Sequence, residues 1–207
     1  MQKFTDFLGG IQLGLVRKYH YSVDGVGVAL RDLIYIHKER LEKKARRRAK
    51  SSNKMFFEYI TDFLEFEGGN DAILEYIPNG NNKAKRIFCA NSFVNDKTSP
   101  FANIRMPYTG QYALIPPKHA QKFNYIITNR ERELGKGHRR ANDTEYKLLE
   151  LIASRISPVD VGHINLYTYY EPCLSCDYVI VQFVKKYPNI SINVYFEEEY
   201  RPEKGVI

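Results

Sequence analysis

A Pro-Cys-x-x-Cys motif between a strand pattern and a helix pattern constrains the fold of this chain more than any other feature. Pro172, Cys173 and Cys176 follow residues 163–170, which are rich in β-formers, and open a run of helical apolar spacing over residues 173–187. Two cysteines three residues apart at a helix start face the same way, and the helix dipole there favours thiolates and metal binding. The motif therefore predicts metal or redox chemistry at a strand–helix junction.

Strand and helix patterns alternate from about residue 86 onward, whereas the earlier part of the chain is mostly helical in pattern. We predict an N-terminal helical region over residues 1–80 and an α/β domain over residues 81–207. The first region opens with a weakly helical stretch, residues 1–22, and a break at residues 24–27. The other predicted elements are helices at 29–53, 54–67, 143–156 and 173–187, a turn at 78–82, and strands at 86–94, 123–128, 163–170 and 190–196.

Composition excludes several classes of protein. Hydrophobic residues make up 43% of the chain, with 16 Tyr and 12 Phe, which supports a packed core and argues against extensive disorder. The sequence lacks both an apolar run of the ~18–20 residues that span a bilayer and a secretory signal pattern. Three cysteines do not make a disulfide framework, so a reducing compartment is favoured. We expect no membrane partner and a cytoplasmic location, with delivery into a target cell as a further option.

The positive charge of the chain is concentrated in one basic segment, residues 38–54. This segment holds nine basic and two acidic residues and so accounts for the whole formal charge of +7. It is interpreted as a solvated helix face, as a contact for nucleic-acid phosphates, or as a surface for an acidic partner such as an immunity protein. A smaller basic cluster, residues 130–140, comes just before residue 143.

Asp143 and Glu145 form the second chemical element of the sequence. A hydrolytic zinc site needs three protein ligands, an open position for water, and a separate carboxylate that moves the proton. Asp143, Cys173 and Cys176 can supply the ligands, and Glu145 can supply the proton carrier. The alternative for Asp143 is a helix N-cap, with Asn142-x-x-Glu145 as a capping-box-like start. The cysteines have their own alternatives, a redox pair or buried packing.

The order of these elements resembles the zinc-dependent nucleobase deaminase superfamily: a helix with a ligand-x-Glu motif, a strand, Pro-Cys-x-x-Cys, a helix and a strand. The sequence is most similar to the deaminase domains of bacterial polymorphic toxins, over about residues 138–196. The resemblance implies a three-layer α/β/α cytidine-deaminase-like sandwich with a mixed sheet and a zinc cofactor. It also implies hydrolytic loss of an exocyclic amine, with Glu145 moving the proton. The stretches that carry it are Thr144–Glu150, Gly162–Thr168, Pro172–Cys176, Val179–Phe183 and Tyr187–Ile190.

One position departs from the usual pattern of that superfamily. Its first ligand is commonly His, whereas this sequence has Asp143. Asp with two thiolates leaves a zinc site at −1, which should raise the pKa of the bound water. The basic cluster could compensate for that charge, and His138 is an alternative ligand. Residues near the motifs that are candidates for substrate contact are His138, Arg139, Arg140, Asn142, Tyr169, Tyr170 and Pro172.

We therefore expect zinc-dependent hydrolytic deamination of cytosine to uracil in single- or double-stranded DNA, by a toxin-type deaminase. Adenine is an alternative base, because Glu171-Pro172-Cys173 resembles the Glu-Pro-Cys of tRNA adenosine deaminases. RNA and free nucleosides are alternative substrates. A non-catalytic nucleic-acid or protein-binding module with a structural zinc is the alternative from another class. Nucleic acid, with DNA favoured, is the expected partner, and the toxin resemblance adds an immunity protein.

Overall fold

The computed structural model describes residues 15–50, 61, 69–105, 108–129, 133–137 and 140–199. The helix predicted for residues 54–67 lies outside this part of the chain except for Thr61. The strands and helices of the described residues are β1 (Val16–His20), α1 (Gly25–Lys50), β2 (Asp71–Pro78), β3 (Arg86–Asn91), α2 (Thr144–Ala153), β4 (Gly162–Tyr170), α3 (Leu174–Lys186) and β5 (Ile190–Glu198).

The strands form one mixed sheet in the order β1-β5-β4-β2-β3. The pairs β1–β5 and β5–β4 are parallel, whereas β2 is antiparallel to both β4 and β3. Ala72 at the start of β2 is paired with Thr168 near the end of β4, and Asp71 with Asn91 at the end of β3. The start of β2 and the ends of β3 and β4 therefore meet at one end of the sheet.

Helices cover both faces of this sheet. Leu74 and Leu166 pack with Leu149 of α2 and Phe183 of α3 in the larger core. On the opposite face, Leu30 and Ile34 of α1 pack on Ile73, Tyr167 and Tyr195, and Leu41 and Ala45 pack with Cys89. The predicted three-layer α/β/α sandwich with a mixed sheet is confirmed.

Helix α1 begins where the sequence predicts a break. The Asp24 carboxylate accepts hydrogen bonds from the backbone N–H groups of Val26 and Gly27, both at 2.9 Å, so Asp24 caps the helix. The prediction for residues 25–27 was therefore wrong. No helix of the described residues is both long and apolar enough to cross a membrane.

Residues 16–20 form a strand, although the sequence predicts weak helix there. Val16 packs with the core on one face of the sheet and Tyr19 with the core on the other. A spacing of three reads as helical in a sequence, but in a strand it puts two side chains on opposite faces. The helical prediction was wrong here because the two residues of β1 that contact the cores are three apart, the spacing that one face of a helix would also show.

The strand predicted for residues 123–128 is absent from the structure, apart from an isolated bridge between Thr128 and Leu134. Side chains of α2 and α3 satisfy the backbone of this extended segment in place of a neighbouring strand. Glu150 accepts from the N–H groups of Lys122 and Phe123, Gln182 from Asn124, and Ser175 from Ile126. Apolar side chains and extended backbone are present, but no strand of the described residues pairs with them.

The predicted boundary at residue 80 falls in the turn between β2 and β3. Asn79 and Gly80 have positive φ angles of 49° and 67°, as expected for a tight turn rich in Asn and Gly. Strands from both sides of residue 80 therefore belong to the same sheet, and α1 forms one of the three layers.

Candidate active site

Two helix starts meet at the end of β4. Asp143 is the residue before α2, and Cys173 is the residue before α3, and both have extended backbone angles. Neither side chain accepts a hydrogen bond from its own helix. Asp143 therefore occupies the N-cap position, as the capping alternative predicts, but its carboxylate does not cap the helix and is turned towards the two cysteines.

Asp143, Cys173 and Cys176 form a compact cluster of metal-ligating atoms. Asp143 Oδ2 lies 3.3 Å from Cys173 Sγ and 3.2 Å from Cys176 Sγ, and the two sulfur atoms are 3.5 Å apart. All three donor atoms fall within 4.8 Å of one another, so they form a possible metal site. The sequence spacing predicts this set, and the structure brings it together.

Burial disfavours the charged forms of the groups in this cluster. Cys173 is 6% exposed and Cys176 is 2% exposed. Burial raises the pKa of the Asp143 carboxyl, while the hydrogen bond to Cys173, burial and nearby carboxylates raise the pKa of Cys176 well above its usual range. Ionised groups packed this closely need a compensating cation. The donor set therefore fits a divalent metal ion.

Glu145 lies beside the cluster without belonging to it. Its Oε2 is 3.5 Å from Cys176 Sγ, and its side chain is only 3% exposed. Burial and the neighbouring Asp143 carboxylate raise the pKa of Glu145. Thr168 and Thr144 donate hydrogen bonds to Oε1 and Oε2, both at 3.0 Å. A buried carboxylate held beside a possible metal site is a candidate proton carrier.

A cavity of about 350 Å³ opens over these groups. Its volume is within the usual range for small-molecule sites and accommodates a nucleobase. Tyr170 stands at the cavity with 46% of its surface exposed. Asp143, Glu145, Cys173 and Cys176 line the cavity together with Asn70, Ser92, Arg140, Glu171 and Glu199.

A comparison with protein-family models identifies the class of this site. The toxin-deaminase model, described as the BURPS668_1122 family of deaminases, matches residues 47–198. The chain belongs to this family. A search of curated proteins finds no match. The match begins at the last turn of α1, well before residue 138, where the sequence resemblance begins. Membership implies a hydrolytic deaminase, and the matched range includes Glu145 and the three residues of the cluster.

The candidate substrate residues of the deaminase are found in different places. Arg140 and Tyr170 line the cavity, whereas Tyr169 is half-buried and packs edge-on against Tyr170, with ring centroids 4.8 Å apart. Asn142 is exposed and Pro172 is buried, and neither is part of the cavity wall. His138 and Arg139 lie outside the described residues.

Arg140 is the described member of the basic cluster that faces Asp143. Its Nη1 lies 4.0 Å from Asp143 Oδ1, and its Nε and Nη2 donate to the Thr128 carbonyl oxygen at 3.2 and 3.0 Å. The guanidinium opposes the effect of burial on the pKa of Asp143. The predicted compensation of the extra negative charge therefore has a structural counterpart at Arg140.

Sequence patterns missed Asn70 and Ser92. Asn70 follows two glycines that read only as the end of a helix, and Ser92 follows β3. The pairing of Asp71 with Asn91 brings them opposite each other on the cavity wall. A Cβ atom on Gly69 would lie 2.6 Å from Ser92 Oγ, so glycine permits this close approach. Only knowledge of the strand register could have indicated this pair.

Lys147 holds the segment after β3 against the helix that carries Asp143 and Glu145. Its buried ammonium donates to the carbonyl oxygens of Asn91 and Val94 and to Asn95 Oδ1. Burial lowers the pKa of Lys147 to about 7. We expect Lys147→Met to lower the free energy of unfolding by about 2–3 kcal/mol, because buried carbonyl groups lose their donor. Urea denaturation measures this, with exposed Lys185→Met as the control; equal stability of the two variants would contradict it.

Proposed function

We propose that this chain is a zinc-dependent deaminase that converts cytosine to uracil in DNA. In this proposal Asp143, Cys173 and Cys176 hold the zinc ion, and Glu145 carries the proton. The observation that supports it most is the position of the buried Glu145 carboxylate, 3.5 Å from Cys176 Sγ at the edge of the donor cluster. A structural metal site would not need a separate buried carboxylate facing an open cavity.

The donor set is suited to zinc. Zinc in proteins takes sulfur, nitrogen and carboxylate oxygen ligands, and hydrolytic sites use three protein ligands and leave one position open. When bound, zinc would act as a Lewis acid and lower the pKa of water at that open position. The Asp143 carboxylate adds a negative charge that a histidine ligand would not, and the Arg140 guanidinium, 4.0 Å away, offsets part of it.

Glu145 can serve both proton transfers of the reaction. Its Oε2 faces the donor cluster, so it can take a proton from the attacking water as that water adds to the ring carbon. The same carboxyl group can give this proton to the ring nitrogen. It can then take the second proton, from the hydroxyl group now on the ring carbon, and give it to the exocyclic amine, which leaves as ammonia while the carbonyl forms. Burial keeps bulk water away from this carboxyl group.

The shape of the cavity favours a base that has left its stack. The cavity of about 350 Å³ lies over the buried Glu145 carboxylate, so a base must leave its stack to reach this group. The exposed Tyr170 ring offers a face on which a base can stack. The substrate is therefore a single-stranded or flipped cytosine.

A basic groove supports a polymeric substrate. We give this name to the surface lined by Lys44, Arg47 and Arg48 of α1 and by Arg105. Along α1, Arg31 pairs with Glu197 near the end of β5, and Lys38 pairs with Asp71 at the start of β2. Beyond Lys38, Leu41 and Ala45 of α1 pack with Cys89 of β3, so the basic half of α1 lies on the β3 side of the sheet. In this proposal it binds phosphates of the polymer that carries the cytosine.

Reversing charges in the basic groove should weaken nucleic-acid binding and make it less dependent on salt concentration. We expect Lys44→Glu, Arg47→Glu and Arg105→Glu together to make the slope of log K, the binding constant for single-stranded DNA, against log salt less negative by about 2. This corresponds to ~0.7 per lost phosphate contact. Fluorescence anisotropy over a range of salt concentrations measures this slope. The matched control reverses three exposed lysines elsewhere, Lys83, Lys118 and Lys185. If both triple variants show the same slope, the basic groove is only a solvated helix face and does not bind nucleic acid specifically.

Sequencing of cells that express the wild type or Glu145→Ala tests the proposed function. An excess of C-to-T changes in the wild-type cells alone is expected. An excess of A-to-G changes would redirect the assignment to adenine. If neither change appears and the purified zinc-loaded protein releases no ammonia from DNA, RNA or cytidine, the proposal is wrong.

A further inference from the structure

We infer that Asn70, Thr144 and Thr168 form a positioning cradle that fixes the Glu145 carboxylate for proton transfer, an inference that rests on the proposed function. The cradle consists of two threonine hydroxyls and one amide. None of its members would hold the metal ion, and all act through Glu145. Sequence motifs give no indication of it, because its parts come from three separate elements.

Each carboxylate oxygen of Glu145 receives its own hydroxyl. Thr168 Oγ1 donates to Oε1 and Thr144 Oγ1 donates to Oε2, both at 3.0 Å. A hydroxyl has one proton, so a hydroxyl that donates to Glu145 can only accept at its other contacts. Asn70 Nδ2 donates a hydrogen bond to each of these hydroxyl oxygens, at 2.9 Å to Thr144 Oγ1 and 3.0 Å to Thr168 Oγ1.

The four hydrogen bonds therefore form a closed ring that points towards the carboxylate. The two protons of a single NH₂ group serve the two hydroxyls, and the two hydroxyl protons serve the two carboxylate oxygens. With the Asn70 amide reversed, its oxygen would compete with Glu145 for the hydroxyl protons. Only the observed orientation leaves both hydroxyl protons to Glu145.

The other end of the Asn70 amide shows what determines this orientation. Asn70 Oδ1 is buried and has no hydrogen-bond partner among the described residues. A buried acceptor without a partner costs about 1–3 kcal/mol. The amide keeps this orientation despite that cost because its NH₂ group is committed to the two threonines.

Rigid elements hold each member of the cradle. The backbone N–H of Asn70 donates to Ser92 Oγ at 3.0 Å, and its carbonyl accepts from Ser92 N–H at 2.9 Å. Thr168 is in β4, paired with Ala72 of β2, and Thr144 is the first residue of α2. Glu145 is thereby fixed at the junction of β2, β4 and α2, with Oε2 facing the donor cluster.

Loss of one hydroxyl should slow proton transfer more than it changes binding. We expect Thr168→Val, which keeps the shape and removes the donor, to lower kcat by about 10–100-fold, because small displacements of a catalytic group have effects of this size. KM and zinc content should stay near wild-type values. Thr168→Ser restores the hydroxyl and should recover most of kcat. The matched control is Thr109→Val, which removes a buried threonine hydroxyl outside the cradle.

The experiment combines kinetics of these variants with crystal structures of the wild type and Thr168→Val. The cradle predicts both threonine contacts to Glu145 in the wild type and a rotated carboxylate in the variant. Wild-type kcat in Thr168→Val, or an equal loss in Thr168→Ser, overturns the positioning role. A wild-type crystal structure without the threonine contacts overturns the cradle whatever the activity. A wild type that turns over no base overturns the proposed function instead, and the crystal structures then decide the cradle alone.

Discussion

Glu145→Gln is expected to lower the deamination rate by about 10³-fold, within the range typical of lost general acid–base catalysis. Glutamine keeps the size and shape of the side chain but cannot take a proton at neutral pH. Because Glu145 stands beside the donor cluster, the variant should keep the metal content of the wild type. Initial rates of ammonia release and metal analysis of the same preparation measure both quantities.

Glu150→Gln is the matched control for this substitution. Glu150 is also a buried glutamate of α2, but it accepts from the backbone N–H groups of Lys122 and Phe123, away from the cavity. The control should keep the wild-type rate, with its cost confined to stability. If the Glu145→Gln rate stays within about tenfold of the wild-type rate, Glu145 is not the proton carrier.

Cys176→Ala is expected to abolish metal binding and activity together. Cys176 is 2% exposed and contacts both Asp143 and Cys173, so its loss removes a ligand and opens the centre of the cluster. A metal ion that binds only the folded state stabilises it by about 4 kcal/mol when its free concentration is about 1,000 times Kd. The variant should therefore melt at the temperature of the chelated wild type or lower, and added zinc should not raise that temperature.

Cys89→Ala controls for the loss of any buried thiol. Cys89 is fully buried on β3 in the core beneath α1, and burial raises its pKa to about 12, so it is an inert thiol. We expect this variant to be destabilised but to keep its metal and its rate. A Cys176→Ala variant that binds zinc as the wild type does would rule out the proposed ligand set.

The candidate metal ligands and Glu145 could be predicted from sequence because each pair is local. Cys173 and Cys176 are three residues apart at one helix start, and Asp143 and Glu145 are two apart at another. Such local patterns can be recognised without knowledge of the fold, because each pair of residues is positioned by a single helix. What the structure adds is that the two helix starts lie close together at the end of β4.

Features that depend on distant partners could not be predicted in the same way. The segment 123–128 has the composition of a strand, but side chains of Glu150, Ser175 and Gln182 satisfy its backbone. Asn70 reaches Thr144 and Thr168 only because β2 lies between β3 and β4. Neither composition nor periodicity contains this information.

Some basic residues of the segment 38–54 form ion pairs within the protein, and others line the basic groove. Lys38 pairs with the buried Asp71 at 2.7 Å, and Arg46 pairs with Glu42 one turn away on α1. Lys44, Arg47 and Arg48 line the basic groove together with Arg105. The net charge of +7 therefore does not all face one surface, because Lys38 and Arg46 are paired within the protein.

The most direct test of the central claim is the nucleoside composition of single-stranded DNA after incubation with the zinc-loaded protein. Digestion to nucleosides followed by mass spectrometry measures every base at once, with Glu145→Gln as the parallel sample. We predict that deoxyuridine appears in proportion to the deoxycytidine lost, and only with the wild type. An unchanged composition with fully zinc-loaded wild type, or deoxyinosine formed in place of deoxyuridine, would contradict the account.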